Sequence, residues 1–282
     1  MIEIKAVVDG YKYKVQFKSW LFPGGENGFC LLDGKEYLRG CEWAEIIARI
    51  QSAQDLMEFM SAVYAIKEYE NCQIQAFIPY WPGARQDRVA NIGEALTTKI
   101  YADIINNLDL QYVQLVDPHS DVTPALVNNS WLYPIHIIIG QAIKDSGAEI
   151  IICPDAGAAK RISDNLKKLN LNIPIIQCLK KRDTITGRLS GFQVLAEPKQ
   201  LDNKKCLIID DICDGGGTFI GLVEELDYLI NNFPGDIFLY VTHGVFSQGY
   251  DKLLENFKKI YTTDSFIPKL APPERVKIYN LY

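Results

Sequence analysis

The sequence predicts an α/β protein of two halves, each a mostly parallel sheet flanked by helices. Short apolar runs alternate with stretches of helical periodicity along most of its 282 residues. That length suits roughly two ordinary domains. The residues with chemical potential also stand just after apolar runs, where open α/β sheets hold their ligands.

Residues 2–17 alternate apolar and polar side chains around Asp9-Gly10, the two-residue signal of a β-hairpin. Phe22-Pro-Gly-Gly-Glu26 reads as a turn, followed by strand-like stretches at residues 28–32 and 45–49. Leu56, Phe59, Met60, Val63 and Ile66 recur at helical spacing, and residues 73–79 form a β-like run entering a Pro/Gly turn. The alternation continues with helix 94–108, strand 112–116, helix 136–146, strand 149–153, helix 158–169 and strand 173–178. It ends with strand 206–209, helix 218–230, strand 237–241, helix 250–257 and strand 276–282. The halves are expected to meet at Tyr133-Pro134, giving domains 1–134 and 135–282. Residues 184–199, with Gly187 and Gly191, form a long polar excursion, a candidate lid.

Composition narrows the classes. With 48% hydrophobic and 23% charged residues and no biased tract, the chain is globular. A net charge of -6 argues against non-specific nucleic-acid binding, which relies on neutralising many phosphates. Seven widely spaced cysteines without a C-x-x-C pair read as reduced, mostly buried thiols. No run approaches the roughly 20 apolar residues of a membrane span, and the start lacks a signal pattern, so a cytoplasmic protein without a membrane anchor is expected.

The strongest chemical signal runs from Cys206 to Thr218: an apolar strand, the carboxylates Asp210 and Asp211, then Asp214-Gly215-Gly216-Gly217-Thr218 opening a helix. Glycines let backbone N–H groups approach a phosphate, and the helix start adds the positive end of its dipole. Two adjacent carboxylates can accept both hydroxyls of a ribose. A plain glycine turn with a capping aspartate explains neither the acidic pair nor the threonine.

This segment resembles the ribose-phosphate loop of the type I phosphoribosyltransferase fold. Ile78-Pro-Tyr-Trp-Pro-Gly-Ala-Arg-Gln-Asp-Arg88 resembles a segment of one branch, the ribose-phosphate pyrophosphokinases or phosphoribosyl pyrophosphate synthetases. Phe22-Pro-Gly-Gly-Glu26, Val116-Asp-Pro-His119, Cys153-Pro-Asp-Ala-Gly-Ala158 and Thr242-His-Gly-Val-Phe-Ser247 resemble further motifs of that family in the same order. The resemblance implies two phosphoribosyltransferase-like halves, the first binding ATP and the second a ribose phosphate. It implies Mg²⁺-dependent transfer of the β,γ-pyrophosphoryl group of ATP to the anomeric hydroxyl of ribose 5-phosphate, giving phosphoribosyl pyrophosphate and AMP.

Carried over residue by residue, it assigns ATP to Phe22, Glu26, Arg85, Gln86, Asp87 and Arg88, the first two across a subunit interface. Metal contacts fall to His119, beside Asp117, and to Asp155, whose plainer role is to cap the following helix. The ribose phosphate falls to Asp210, Asp211, Asp214, Gly215, Gly216, Gly217 and Thr218. In Lys180-Lys181-Arg182 the family's Lys-x-Arg pair matches Lys180 and Arg182 as catalytic cations, with a one-residue shift to Lys181 left open. His136 and His243 read as structural. No general base is evident.

Gly215 stands where the synthetases usually have a threonine that helps hold the sugar's terminal phosphate. The vacancy would admit a larger acceptor, ADP-ribose, in a reaction serving NAD salvage. The opening hairpin and the missing closing helix also depart from the family, so a homo-oligomer is expected while hexameric assembly and regulation by ADP or phosphate stay open. A phosphoribosyltransferase would lack the Ala-Arg-Gln-Asp-Arg segment, and an inactive regulatory homologue should have lost loop or metal residues that are present here.

Overall fold

The structure, a computed structural model, describes residues 1–182, 189–230 and 235–282. It divides into two compact units, Met1–Tyr133 and Pro134–Tyr282.

The first unit opens with the hairpin β1 (Ile2–Val8) and β2 (Tyr11–Val15). Asp9 (φ 50°) and Gly10 (φ 75°) supply the two left-handed residues such a tight turn requires. The Phe22–Glu26 turn connects β3 (Phe17–Leu21) to β4 (Asn27–Leu31), a two-stranded sheet of its own. β3 is not anticipated by the sequence reading, because Lys18 and Ser19 interrupt its apolar residues and its partner lies across the turn.

Next come β5 (Trp43–Ala48), α1 (Ala53–Tyr69), β6 (Ile74–Ile78), α2 (Thr97–Asn106), β7 (Tyr112–Leu115), α3 (Val122–Leu126) and β8 (Ser130–Leu132). Ser52 caps α1 by accepting from Asp55 N at 3.1 Å, and the helix buries Phe59, Ala62, Val63 and Ile66. The helix expected from residue 94 begins instead at Thr97. Glu94 folds back to accept from the N–H groups of Ala90 and Asn91 at 3.0 and 3.1 Å, which makes that stretch a loop. Among the described residues the main sheet runs β2-β1-β5-β6-β7-β8, parallel from β5 onward.

The second unit contains α4 (His136–Ser146), β9 (Ile150–Cys153), α5 (Ala156–Lys168), β10 (Ile175–Arg182), β11 (Leu189–Val194) and α6 (Pro198–Leu201). It continues with β12 (Cys206–Cys213), α7 (Gly217–Ile230), β13 (Ile237–Gly244), α8 (Asp251–Asn256), β14 (Lys259–Thr263) and β15 (Val276–Tyr279). Within the excursion expected at residues 184–199, residues 189–194 form β11 and α6 begins at Pro198. β11 pairs antiparallel with β10 because Phe192 and Val194 have an apolar core to enter, while residues 183–188 lie outside the described residues.

The described sheet runs β11-β10-β9-β12-β13-β14-β15, and every neighbouring pair after β11-β10 is parallel. From β9 the chain moves outward to β10, and from β12 it moves the other way to β13. The strand order thus reverses between β9 and β12, opening a crevice at their carboxyl ends. Isoleucine, leucine and valine from both faces of these strands fill the core, as a sheet covered on both sides requires. Among the described residues no helix is long and apolar enough to cross a membrane.

Candidate functional site

In the second unit, β9 and β12 deliver their motifs to the two sides of that crevice. Asp155 follows β9 and caps α5, its Oδ1 accepting from Ala158 N at 3.0 Å. Asp210 and Asp211 sit near the end of β12, both buried. Asp210 Oδ1 accepts from Asp211 N at 3.0 Å and from Arg161 Nη2 at 3.1 Å, and the same nitrogen lies 3.5 Å from Asp211 Oδ1. Sequence reasoning missed Arg161. The available signal was the acidic pair itself, since adjacent buried carboxylates need a cation nearby.

Beyond the diacid, Gly216 adopts φ +83°, and a β-carbon there would stand 2.9 Å from Leu253 Cδ2. The left-handed backbone strains any side chain at this position, and Leu253 would also have to shift. Gly217 opens α7, and a β-carbon built on it meets no atom within 4 Å. Thr218 follows as the second helical residue. The N–H groups of Phe246 and Ser247 donate to the carbonyls of Cys213 and Asp214, each at 3.1 Å, which straps the chain after β13 to the loop. N–H groups at the start of the 14-residue α7 can receive an anion.

His243 is buried with Nδ1 2.9 Å from Ser265 Oγ, while that hydroxyl donates to Thr242 O at 3.0 Å. A serine has one hydroxyl proton, so Oγ accepts from Nδ1–H, and His243 serves a structural hydrogen bond. Burial pushes the thiols of Cys153, Cys178, Cys206 and Cys213 up to about 12, so they stay protonated. Lys180 and Arg182 end β10, but the side chains from Lys180 to Ser190 lie outside the described residues.

In the first unit, the parallel neighbours β6 and β7 present two loops side by side. After β6, Trp81 is buried and its Nε1 donates to Thr98 Oγ1 of α2 at 2.9 Å. Thr98 N donates to Gln86 O at 3.3 Å, and Thr97 Oγ1 donates to the Gln86 side-chain oxygen. Gly83 (φ +73°) lets the turn lie against Thr97. This anchored turn carries Arg85, Gln86 and Arg88 exposed and Asp87 half-buried. After β7, Asp117 is buried at φ 39°, a sharp bend that leaves His119 exposed. Phe22 is 47% exposed, its ring edge-on to Trp20 at 5.8 Å, and Glu26 is exposed on the same turn. Among the described residues, no three or more His, Cys, Asp or Glu side chains converge to hold a metal.

A diacid and a glycine loop at the crevice of a mostly parallel sheet place the second unit in the phosphoribosyltransferase class of α/β folds. Comparison with known proteins agrees and is more specific. Residues 11–108 match the family model of the N-terminal domain of ribose phosphate pyrophosphokinase, and residues 135–229 match that of the phosphoribosyl transferase domain. The chain belongs to the ribose-phosphate pyrophosphokinase family. It is 31% identical over 227 residues to the ribose-phosphate pyrophosphokinase of Mycoplasma genitalium, covering 79% of this chain and 66% of that one. It is 28% identical over 254 residues to that of Bradyrhizobium diazoefficiens, covering 88% and 77%. The crystal structure of phosphoribosylpyrophosphate synthetase from Mycobacterium smegmatis shares the fold, with a TM-score of 0.76 at 20% identity over 95% of this chain and 86% of that one.

Proposed function

We propose that the protein transfers the β,γ-pyrophosphoryl group of ATP to the anomeric hydroxyl of ribose 5-phosphate, giving phosphoribosyl pyrophosphate and AMP. The observation that carries this reading is the acidic pair Asp210–Asp211 beside a glycine loop that opens α7. The carboxylates accept the sugar's hydroxyls, while the N–H groups of residues 215–218 and the hydroxyl of Thr218 receive its 5-phosphate. Arg85 and Arg88, on a turn tied down by Trp81 and Thr98, bind the ATP phosphates, with Gln86 and Asp87 beside them. Phe22 and Glu26 stand exposed on the turn between β3 and β4, which suits contact with adenine bound to a second copy of the chain, so we assign a homo-oligomer.

The anomeric oxygen attacks the β-phosphorus in line and gives up its hydroxyl proton to water, the bond from that phosphorus to the α-phosphate oxygen breaks, and the electron pair leaves with AMP. Positioning and charge supply most of the acceleration in such a transfer. Lys180 and Arg182 stabilise the developing negative charge. His119 of the first unit and Asp155 of the second are each assigned a metal contact by the family resemblance, and a Mg²⁺ ion commonly keeps waters and substrate phosphates as its main ligands. That ion would neutralise phosphate charge. A cytoplasmic location is part of the same proposal, supported by the free cysteines.

The test is incubation with ATP, Mg²⁺ and either ribose 5-phosphate or ADP-ribose, with products identified by mass. Stoichiometric ADP in place of AMP overturns the reading. Gly215 favours ADP-ribose as a second acceptor, because neither backbone nor packing demands its glycine. No left-handed φ is required there, and a β-carbon would meet only Gln248 Cγ, at 3.4 Å. On this reading Gly215→Thr lowers kcat/KM for ADP-ribose more than for ribose 5-phosphate. Wild-type protein that ignores ADP-ribose rules this acceptor out.

A further inference from the structure

We infer that Arg161 is a positioning residue for the acceptor sugar, holding Asp210 and Asp211 together as a charged, oriented pair. The inference deepens the proposed function and rests on it for the identity of the sugar. Arg161 stands on α5, six residues after the Asp155 cap, and reaches across the β9/β12 crevice. Its Nη2 contacts both carboxylates, with side-chain exposures of 21% for Arg161, 12% for Asp210 and 4% for Asp211. Two buried carboxylates whose oxygens lie 3.1 and 3.5 Å from one nitrogen would, without that cation, favour sharing a proton. A shared proton would turn one acceptor oxygen into a donor and spoil the match to two sugar hydroxyls. The guanidinium removes that tendency, and the Asp211 N–H donated to Asp210 Oδ1 fixes the first carboxylate's orientation.

Among the described residues, the other groups named here around the pair bring no second cation to it. From the cap of α5 comes a third acid, Asp155, and from β9 the thiol of Cys153, which senses Asp210, Arg161 and Asp155. The loop adds Asp214, which acts with Asp210 on the Cys213 thiol, and both thiols are neutral. On β13, Val241 pairs with Asp210, and the His243 ring two residues later is held by Ser265. Among the described residues, Arg161 is a cation in contact with both acids of the pair. The same contact links the Pro-Asp-x-Gly helix to the ribose strand, in addition to the pairing of β9 with β12.

The experiment uses full-length wild type, Arg161→Met and Arg161→Lys. Ribose 5-phosphate binding is followed by calorimetry, and KM for ribose 5-phosphate and for ATP, with kcat, across pH 5 to 9. Arg161→Met should weaken ribose 5-phosphate binding by at least about tenfold, leave KM for ATP within about twofold, and move the acid limb of kcat/KM for the sugar to higher pH. Arg161→Lys, which keeps the charge but not the fork, should recover part of the affinity and return the acid limb towards wild type. It also provides the reading if the methionine variant does not fold. Equal losses for both substrates with an unmoved acid limb would make Arg161 merely structural and overturn the inference, as would unchanged sugar binding. If wild type binds ribose 5-phosphate yet forms no AMP, the proposed reaction fails while the binding arm still tests Arg161. If wild type does not bind ribose 5-phosphate, both fail.

Discussion

Trp81 and Thr98 are joined by a buried hydrogen bond, indole Nε1 to Oγ1 at 2.9 Å, that ties the turn after β6 to the first residues of α2. Thr98 Oγ1 also lies 3.2 Å from Thr123 Oγ1, so one hydroxyl links the turn, α2 and α3. The exposed arginines that follow Trp81 therefore sit on a scaffold whose polar groups are satisfied inside the core.

Replacing Thr98 by valine keeps its shape and removes the hydroxyl, leaving the Trp81 N–H buried without an acceptor. Unfolding in denaturant should show a loss of about 1–3 kcal/mol. In steady-state kinetics, KM for ATP should rise more than KM for ribose 5-phosphate, because the anchored turn carries the proposed ATP residues. A stability loss with both KM values raised equally would show that the anchor does not act selectively on the ATP side.

Gly216 and Gly217 should respond differently to alanine. At Gly216 the left-handed backbone costs about 1–2 kcal/mol for any other residue, and Leu253 must also move. Gly216→Ala should therefore lower the melting temperature. Gly217→Ala should not, since it opens a helix with free space around it; on the proposed function, a methyl group added to the phosphate loop should raise KM for ribose 5-phosphate. Equal melting temperatures for the two variants would contradict this assignment of strain.

For the proposed catalytic cation, Lys180→Ala should lower kcat by at least about tenfold, roughly 1.4 kcal/mol of barrier, while changing ATP affinity less. Unchanged turnover at saturation with weaker ATP binding would make Lys180 a ground-state contact. The same comparison on Lys181 decides the register.

Asp145 at the end of α4 accepts from Lys277 and, at 2.6 Å, from the hydroxyl of Tyr279, which holds the last strand to the helix. The hydrogen bond from Lys277 and then that from Tyr279 lower its pKa below the usual carboxylate value. A depressed folded pKa gives stability that is complete above the unfolded value of about 4 and is lost as pH falls through the folded value. The gap in melting temperature between wild type and Asp145→Asn should be constant above about pH 5 and narrow below about pH 4. A gap independent of pH would remove the carboxylate's charge from the explanation.

Periodicity and local motif chemistry, available in the sequence alone, determined the α/β class, most helices and strands of both units, and the loop from Asp210 to Thr218. These are short-range properties: an Asp-Gly turn, an amphipathic face or a strand that ends in carboxylates is legible in a few neighbouring residues. β3, β8, β11 and β14 were not legible in that way. Each is short or interrupted by polar residues and is stabilised by partners elsewhere in the chain, as Phe192 is by the core beneath β11.

Tertiary structure alone decided which distant groups meet. Arg161 reaches Asp210 and Asp211 across 49 and 50 residues of sequence, and His243 meets Ser265 across 22. No local pattern encodes either pairing, because the order of strands in the sheet sets the distance between them. The sequence named the acids of the crevice. Only the reversal of strand order between β9 and β12 brought a helix-borne arginine onto them, where burial makes the pairing of charges necessary.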